Sequence, residues 1–455
     1  MRQTTLHTTM KICKIIIKDY QQFQDFELDL TYPEGHEKAG EPLEKVCLIG
    51  SNGTGKSTLL EMMNYGISKV TSNHTDSHPK LIITYKGSGR FITVSYINNG
   101  NILFFKRGVE KHPEWNSISQ GRINTESARL AYNQYQIFNN EIEDIQLKNN
   151  FTDLLIRSPS EGNQNFYRGE IPKVTVNDAL KFLERFPFDH TISSDTLKDF
   201  WKLLIYLIKK RESDFLTFQK QEKNLDRTVR KVQEEFDKKS PKILNKIAEL
   251  WDNILDKAGL EFDVEGASNP IQLNDNLQAY IRLKGTDKTI PYSQLSTGIR
   301  NFIFRVGHIF TLYFNRNIER GFLLLDEPEN SLHPDFLYDL VDIYTGIIQN
   351  TQFFVATHNP IIAAQFEPYE RFILEFDEQG AVHAKRGTTP VGDDPNDLLV
   401  QDFGVRNLLG KEGIKKWERY VELKNLIQEE EDKAKKVGLL EEFLSIGQAY
   451  NFPLQ

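Results

Sequence analysis

KVCLIGSNGTGKSTLLEMM, residues 45–63, is the stretch on which the fold turns. Its first six residues form a short apolar run that reads as a buried β-strand. The run passes without a break into Gly50-Ser51-Asn52-Gly53-Thr54-Gly55-Lys56-Ser57, which fits G-x-x-x-x-G-K-[ST]. STLLEMMNYGISKV (57–70) follows with apolar residues at helical spacing. Glycines in such a turn let backbone N–H groups curl around phosphates, and the helix start at Ser57 and Thr58 adds its positive dipole end. Lys56 is placed to reach the β and γ phosphates, and the Ser57 hydroxyl to ligate Mg²⁺. Residues Gly50 to Thr58 are therefore the candidate contacts to ATP.

Three further stretches carry chemistry. GFLLLDEP (321–328) is an apolar run of the kind found in the centre of a parallel sheet, and it ends in two acids. Asp326 would hold Mg²⁺, directly or through water, and Glu327 would polarise an attacking water. The same acid pair also fits a helix N-cap. LSTGIR (295–300) brings Ser296, Thr297 and Gly298 to the start of an apolar helix. Alone, those residues read as an N-cap, but they stand about 30 residues before the acid-ended strand. ATHNP (356–360) places His358 at the end of a second buried run, about 30 residues after Glu327. A lone His at a strand end is ordinarily structural.

Composition bounds the class. Apolar residues make up 39% and charged residues 26% of the 455, an ordinary globular balance with room for a large core. A net charge of −8 excludes a chain that coats nucleic acid through overall basicity. No stretch approaches the roughly 20 apolar residues that cross a bilayer. The start, MRQTTLHTTMKICKIIIKDY, reads as a polar lead and a strand, not a signal peptide. Cys13 and Cys47 lie in apolar runs and read as buried thiols, as expected of a cytoplasmic protein.

Four segments are expected. Residues 1–175 are the first half of the head, with paired strands over 11–30, a loop over 31–44, and three β runs over 81–107 split by KGSG and NNGN; 108–175 have no clear pattern. Residues 176–262 read as a helical insertion, broken near Pro241. Residues 263–390 complete the head with a turn continuing as an apolar helix over 292–316, the acid-ended strand, a helix over 333–349, a strand over 352–358 and a last β pair. Residues 391–455 form an acidic helical tail. Between 209 and 246 there are twelve Lys and Arg against seven Asp and Glu. That excess fits a solvated helical face, or an arm lying on nucleic-acid phosphates. His74, Asp76 and His78 are arranged as metal ligands could be, but a solvated loop explains them. Asp393, Asp394 and Asp397 read as a turn and an N-capped helix in preference to a nuclease site.

The order of the four motifs resembles the heads of ABC-type, AAA-family ATPases of the SMC/RecF class, over about residues 11–107 and 285–385. The resemblance implies an α/β fold: a P-loop head with a mixed sheet and an antiparallel β lobe, a helical insertion arm and a helical C-terminal tail. It implies that Ser296 and Gly298 of one copy touch the γ-phosphate bound to another, so that a working site needs a homodimer or higher oligomer. It makes Glu327 the catalytic carboxylate and His358 the γ-phosphate sensor, and it places Glu329–Pro334 as a loop speaking across the dimer. Thr297 and Ile299 depart from LSGGQ, which puts fast turnover in doubt. A Mg²⁺-ligating glutamine is also implied, with Gln134 and Gln136 as the candidates. The short arm, which lacks a zinc-hook C-x-x-C, and the tail resemble stand-alone ATPases of bacterial antiphage systems, such as those of Septu and PARIS. There the ATPase holds or releases a separate effector nuclease. The alternative is a RecF-like repair or recombination ATPase. A transporter subunit is disfavoured by the roughly 240 residues between phosphate loop and signature.

Overall fold

The computed structural model describes residues 11–69, 80–87, 90–97, 101–107, 153–160, 189–193, 196–240, 242–262, 281–290, 294–316, 320–348, 350–405 and 408–452. The chain divides into two compact units, Met1–Asp393 and Asp394–Gln455.

The first unit is built on three sheets. β1 (Lys11–Tyr20) and β2 (Phe23–Asp29) form the expected antiparallel pair. Alternation along residues 14–18 buries Ile15 and Ile17 while Lys14 and Lys18 reach out to Glu27 and Asp25, and a register shift between Ile12 and Lys14 lets Ile12 be buried as well. With β4 (Lys80–Gly87), β5 (Arg90–Ile97) and β6 (Asn101–Arg107) they make an antiparallel sheet in the order β2-β1-β4-β5-β6. A small antiparallel sheet joins β9 (Leu260–Phe262), β10 (Ile281–Leu283) and β11 (Thr289–Ile290).

The third sheet positions the site. It contains β3 (Lys45–Gly50), β7 (Asp153–Ser158), β8 (Asp189–Thr191), β12 (Arg320–Asp326), β13 (Thr351–Ala356), β14 (Arg371–Phe376) and β15 (Val382–Arg386). The order is β15-β14-β3-β13-β12-β7-β8, parallel throughout except at the β15 edge. The runs VCLI, LLL and FFVA are buried because these central strands are covered on both faces. Register pairs Asp326 with Ala356, Ala356 with Leu48 and Leu325 with Ser158. Gly50, Asp326, Ala356 and Ser158 thus end at one edge, the carboxyl edge where open α/β sheets bind ligands.

α1 (Lys56–Lys69) lays Leu59, Leu60, Met62, Met63 and Ile67 into a core shared by both larger sheets. Gln352 locks the two sheets in register. Its Oε1 accepts from the Ile12 N–H at 2.8 Å, and its Nε2 donates to the carbonyls of Ile12 and Leu43. Arg371, fully buried, donates to the carbonyls of Ala363, Phe366 and Thr389. Arg371→Met would keep most of the volume and remove three charged donations in the interior, one of them to an Ala363 carbonyl that still accepts from the Phe366 N–H; loss of a buried hydrogen-bond partner costs about 1–3 kcal/mol. The expected loss is about 3 kcal/mol or more, read as a lower midpoint in urea unfolding. A midpoint unchanged from wild type would show that water replaces the guanidinium.

The insertion is less separate from the head than its sequence suggests. β8 adds to the main sheet, and the long helices enter the head core. α2 (Leu197–Gln219) packs Phe200 edge-on to Phe304, and α5 (Ile243–Leu255) buries Ile247 and Trp251. The distal part has its own small core, where Phe215 and Phe218 of α2 meet Val232 and Phe236 of α4 (Val229–Lys239), beyond the short α3 (Glu222–Leu225). Four of the twelve cations over 209–246 meet carboxylates inside this part, which leaves the net basic excess in place. Arg211 pairs with Asp237, Arg227 and Lys239 with Glu235, and Arg230 with Glu234. The apolar helix expected after a turn within 292–316 is α6 (Thr297–Arg316). The helix expected over 333–349 is two pieces, α7 (Pro334–Leu337) and α8 (Leu340–Ile347), and α9 (Pro360–Ala363) follows β13.

The second unit contains α10 (Pro395–Gln401), α11 (Lys411–Glu429) and α12 (Lys433–Tyr450). Tyr420 of α11 stacks on Phe443 of α12 with ring centres 4.1 Å apart, and Leu423, Ile446 and Phe452 close the core. A Cβ at Gly447 would come 3.1 Å from the Tyr420 ring, so glycine permits the approach. No helix of the described residues is long and apolar enough to cross a membrane.

Candidate nucleotide site

The loop from Gly50 to Lys56 wraps the carboxyl end of β3. Gly50, Gly53 and Gly55 have φ of +145°, +85° and +90°, a region that side chains rarely enter. A Cβ at Gly55 would lie 2.3 Å from Gln22 Nε2 and 2.6 Å from the Phe23 ring, so the β1–β2 turn presses directly on the loop. Gln22 Nε2 also donates to the Gly53 carbonyl at 3.3 Å. Thr54 Oγ1 closes the loop on the Ser51 carbonyl at 2.9 Å.

Lys56 is 6% exposed and folds back, donating to the carbonyls of Gly50 and Ser51 at 2.9 and 3.2 Å. Burial lowers its pKa, against the opposing pull of Glu327, Asp326 and Glu329. Asp326, 7% exposed, accepts from Ser57 and from the Ser160 N–H at 3.4 Å. Its Oδ1 is buried and has no hydrogen-bond partner among the described residues. Burial raises the Asp326 pKa, more than Ser57 and Ser160 lower it. A covered carboxylate oxygen without a donor, beside a serine hydroxyl, suits a hard divalent cation, so Ser57 and Asp326 fit Mg²⁺.

Glu327 is turned into the site by a φ of +44°, which a non-glycine residue holds only at a cost. Its Oε2 accepts from Ser160 Oγ at 2.7 Å and Asn330 Nδ2 at 3.2 Å, and its Oε1 lies 3.4 Å from His358 Nε2. Burial alone would raise its pKa; these donors with His358 and Lys56 reverse the sign and hold it below the usual range. Burial and Lys56 lower the pKa of His358, against the opposing pull of Glu327 and Asp326. Behind His358 lies Glu329, pushed up to about 7, mainly by burial.

The phosphate loop, Ser57, Asp326, Glu327 and His358 therefore meet at one edge of one sheet. Ser296 and Thr297 stand apart: Ser296 is exposed, its Oγ accepts from the Ile299 N–H at 3.4 Å, and no hydrogen bond joins it to residues 50–58 among the described residues. Thr58 lies in the first turn of α1. Gly298 is buried, and a Cβ there would lie 2.0 Å from the Ser331 carbonyl oxygen. Gln134, Gln136, His74, Asp76 and His78 lie outside the described residues. Asp394 caps α10, accepting from the Asn396 N–H, and no metal-holding cluster occurs among the described residues. Sequence reading missed Gln22 and Ser160, and it placed Glu329 and Asn330 in a loop facing a second copy, not beside Glu327 and His358 of the same copy. Residues 108–175 show no clear pattern, and nothing local marks Ser160 as the donor to both acids.

The AAA ATPase domain family matches residues 10–363. Among solved structures, the chain is similar to an SMC head bound to the C-terminal winged-helix domain of ScpA, at 10% identity and a TM-score of 0.41, over 83% of this chain and 98% of that one. It is similar to the SMC head domain from Thermotoga maritima at 11% identity and a TM-score of 0.39, over 83% and 100%. The SMC head with an extended coiled coil, bound to the C-terminal domain of ScpA from Pyrococcus furiosus, gives 11%, 0.39, 83% and 96%.

Proposed function

The chain belongs to the AAA ATPase domain family, and from that premise we propose that it binds and hydrolyses ATP with Mg²⁺ in a site completed by a second copy of the chain. The observation that carries this reading is the end of β12. It sets a cation-ready Asp326 and an ionised Glu327 side by side over the Lys56 loop.

Each residue has a task. The loop amides and Lys56 receive the phosphates, Lys56 exchanging its two carbonyl partners for phosphate oxygens. Ser57 and Asp326 would hold Mg²⁺, which when bound would offset phosphate charge. Glu327 orients a water and takes its proton, while His358 can donate a hydrogen bond toward the γ-phosphate. Ser296, exposed at the start of a 20-residue helix, offers a positive dipole end and a hydroxyl to phosphates outside its own loop. ATP between two copies would then act as a clamp that hydrolysis opens. A separate effector nuclease in a bacterial antiphage system is the output we assign to this switch. That part rests on the motif order, the short arm and the helical tail.

The test is concentration dependence. ATP turnover per chain should rise as the protein concentration passes the dimerisation range, with ATP-dependent dimers in analytical ultracentrifugation. Lys56→Ala should weaken ATP binding by about 100-fold or more and abolish those dimers. Turnover per chain that stays constant down to a purely monomeric range would sink the shared-site reading. For the output, co-purification of a nuclease encoded by a neighbouring gene is the expected result, and capture of replication proteins alone would argue against it.

A further inference from the structure

Glu329 has no role in the scheme above, yet its carboxylate lies between the two ends that scheme must connect. Thr357 Oγ1 donates to Oε1 of Glu329, and the His358 N–H donates to the same oxygen at 3.3 Å. Thr357 Oγ1 in turn accepts from the Asn359 N–H at 2.9 Å, so the turn that carries His358 is closed on both sides. On the other side, the Leu332 N–H donates to the Glu329 carbonyl at 2.9 Å, fixing a tight turn in which Ser331 takes a φ of +65°. The Ser331 carbonyl is the group that leaves no room for a Cβ on Gly298. About two turns further along α6, Arg305 Nη1 donates to the Pro328 carbonyl at 3.0 Å. The signature helix is thus pinned to residues 328–331 at two points, and the Glu329 carboxylate ties those residues to the backbone of the His358 turn.

A carboxylate is a costly choice for packing. Oε2 of Glu329 is covered and has no hydrogen-bond partner among the described residues. An apolar side chain would fill the same space without that desolvation. What an apolar side chain cannot do is accept both donors of the 357–358 turn. We propose that Glu329 is a positioning residue that ties the His358 turn to the loop seating α6, so that contact at the γ-phosphate and the presentation of Ser296 move as one piece. The inference rests on the reading of the site as an ATPase shared between copies.

The experiment uses the full chain with ATP and Mg²⁺, comparing wild type, Glu329→Ala, Glu329→Gln, Thr357→Val and the Ala/Val double variant. Turnover and equilibrium binding of a non-hydrolysable ATP analogue are measured separately. Glu329→Ala and Thr357→Val should each lower kcat by about tenfold or more while analogue affinity changes less than about threefold. The double variant should be no slower than the slower single one, because both remove one link. Glu329→Gln, whose amide oxygen can accept both bonds, should recover most of the loss. If Glu329→Ala fails to fold, Thr357→Val and Glu329→Gln decide the matter alone. An active wild type with Glu329→Ala or Thr357→Val within twofold of it overturns the positioning role only. Losses that multiply in the double variant, or a Gln variant as slow as Ala, also overturn it. A wild type without ATP turnover overturns the ATPase reading and takes the inference with it.

Discussion

Glu327→Gln is expected to stop turnover while leaving ATP bound and two copies joined. The substitution keeps the side chain's shape, and its amide oxygen can still accept from Ser160 and Asn330, which hold Oε2 at 2.7 and 3.2 Å. What is lost is the base. The native carboxylate is kept ionised because Ser160, Asn330, His358 and Lys56 outweigh its burial, and an amide cannot take a proton from water. General-base catalysis contributes about 10²–10⁴-fold, so phosphate release should fall by at least about 100-fold. If hydrolysis opens the clamp, the ATP-bound dimer must accumulate. Light scattering on a sizing column with ATP and Mg²⁺ reads this directly. A variant that stays monomeric with ATP bound, or that turns over within tenfold of wild type, would mean that another group activates the water.

Gly298→Ala should produce the opposite phenotype: one copy still binds ATP, but two copies do not join. The added methyl would meet the Ser331 carbonyl oxygen at 2.0 Å. That atom is backbone, and its residue already sits at a φ of +65°, so it has little freedom to move aside. Relief must come from the start of α6, which carries Ser296 and Thr297. The phosphate loop is left untouched, so binding of an ATP analogue to the monomer should change less than about threefold. Turnover should drop by about 100-fold, since a misplacement of about 1 Å at a catalytic contact costs that much. Ser296→Ala makes a useful partner experiment, because Ser296 is exposed and its loss should spare the fold. A Gly298→Ala chain that dimerises with ATP as wild type does would show that the helix start does not face the second nucleotide.

Both experiments lean on contacts of different legibility. Lys56, Asp326, Glu327 and His358 can be read from the sequence because each belongs to a short segment whose own pattern declares its place. A glycine-rich turn after an apolar run, or an acid ending one, is local information. Parallel strands then bring their carboxyl ends to one edge whatever the intervening chain does. Ser160 and Gln22 have no such pattern. Ser160 serves both acids only because β7 lies beside β12, a pairing across more than 150 residues. Gln22 matters only because the β1–β2 turn lands on Gly55. The arm shows the same limit for charge. A count of cations along residues 209–246 cannot foresee that Arg211, Arg227, Arg230 and Lys239 meet carboxylates at close range.

The chain's own order of residues was enough for the phosphate loop, the acid-ended strand, the histidine after it and the α/β class, because hydrophobic period and turn chemistry act over a few neighbouring residues. Only the folded molecule decided how those parts speak to one another. It set Glu327 at a left-handed φ between two donors and His358, left one oxygen of Asp326 without a partner among the described residues, and pressed Gly298 against Ser331. Such contacts depend on which distant backbones are packed within a few ångströms, and no short-range pattern in a sequence encodes that.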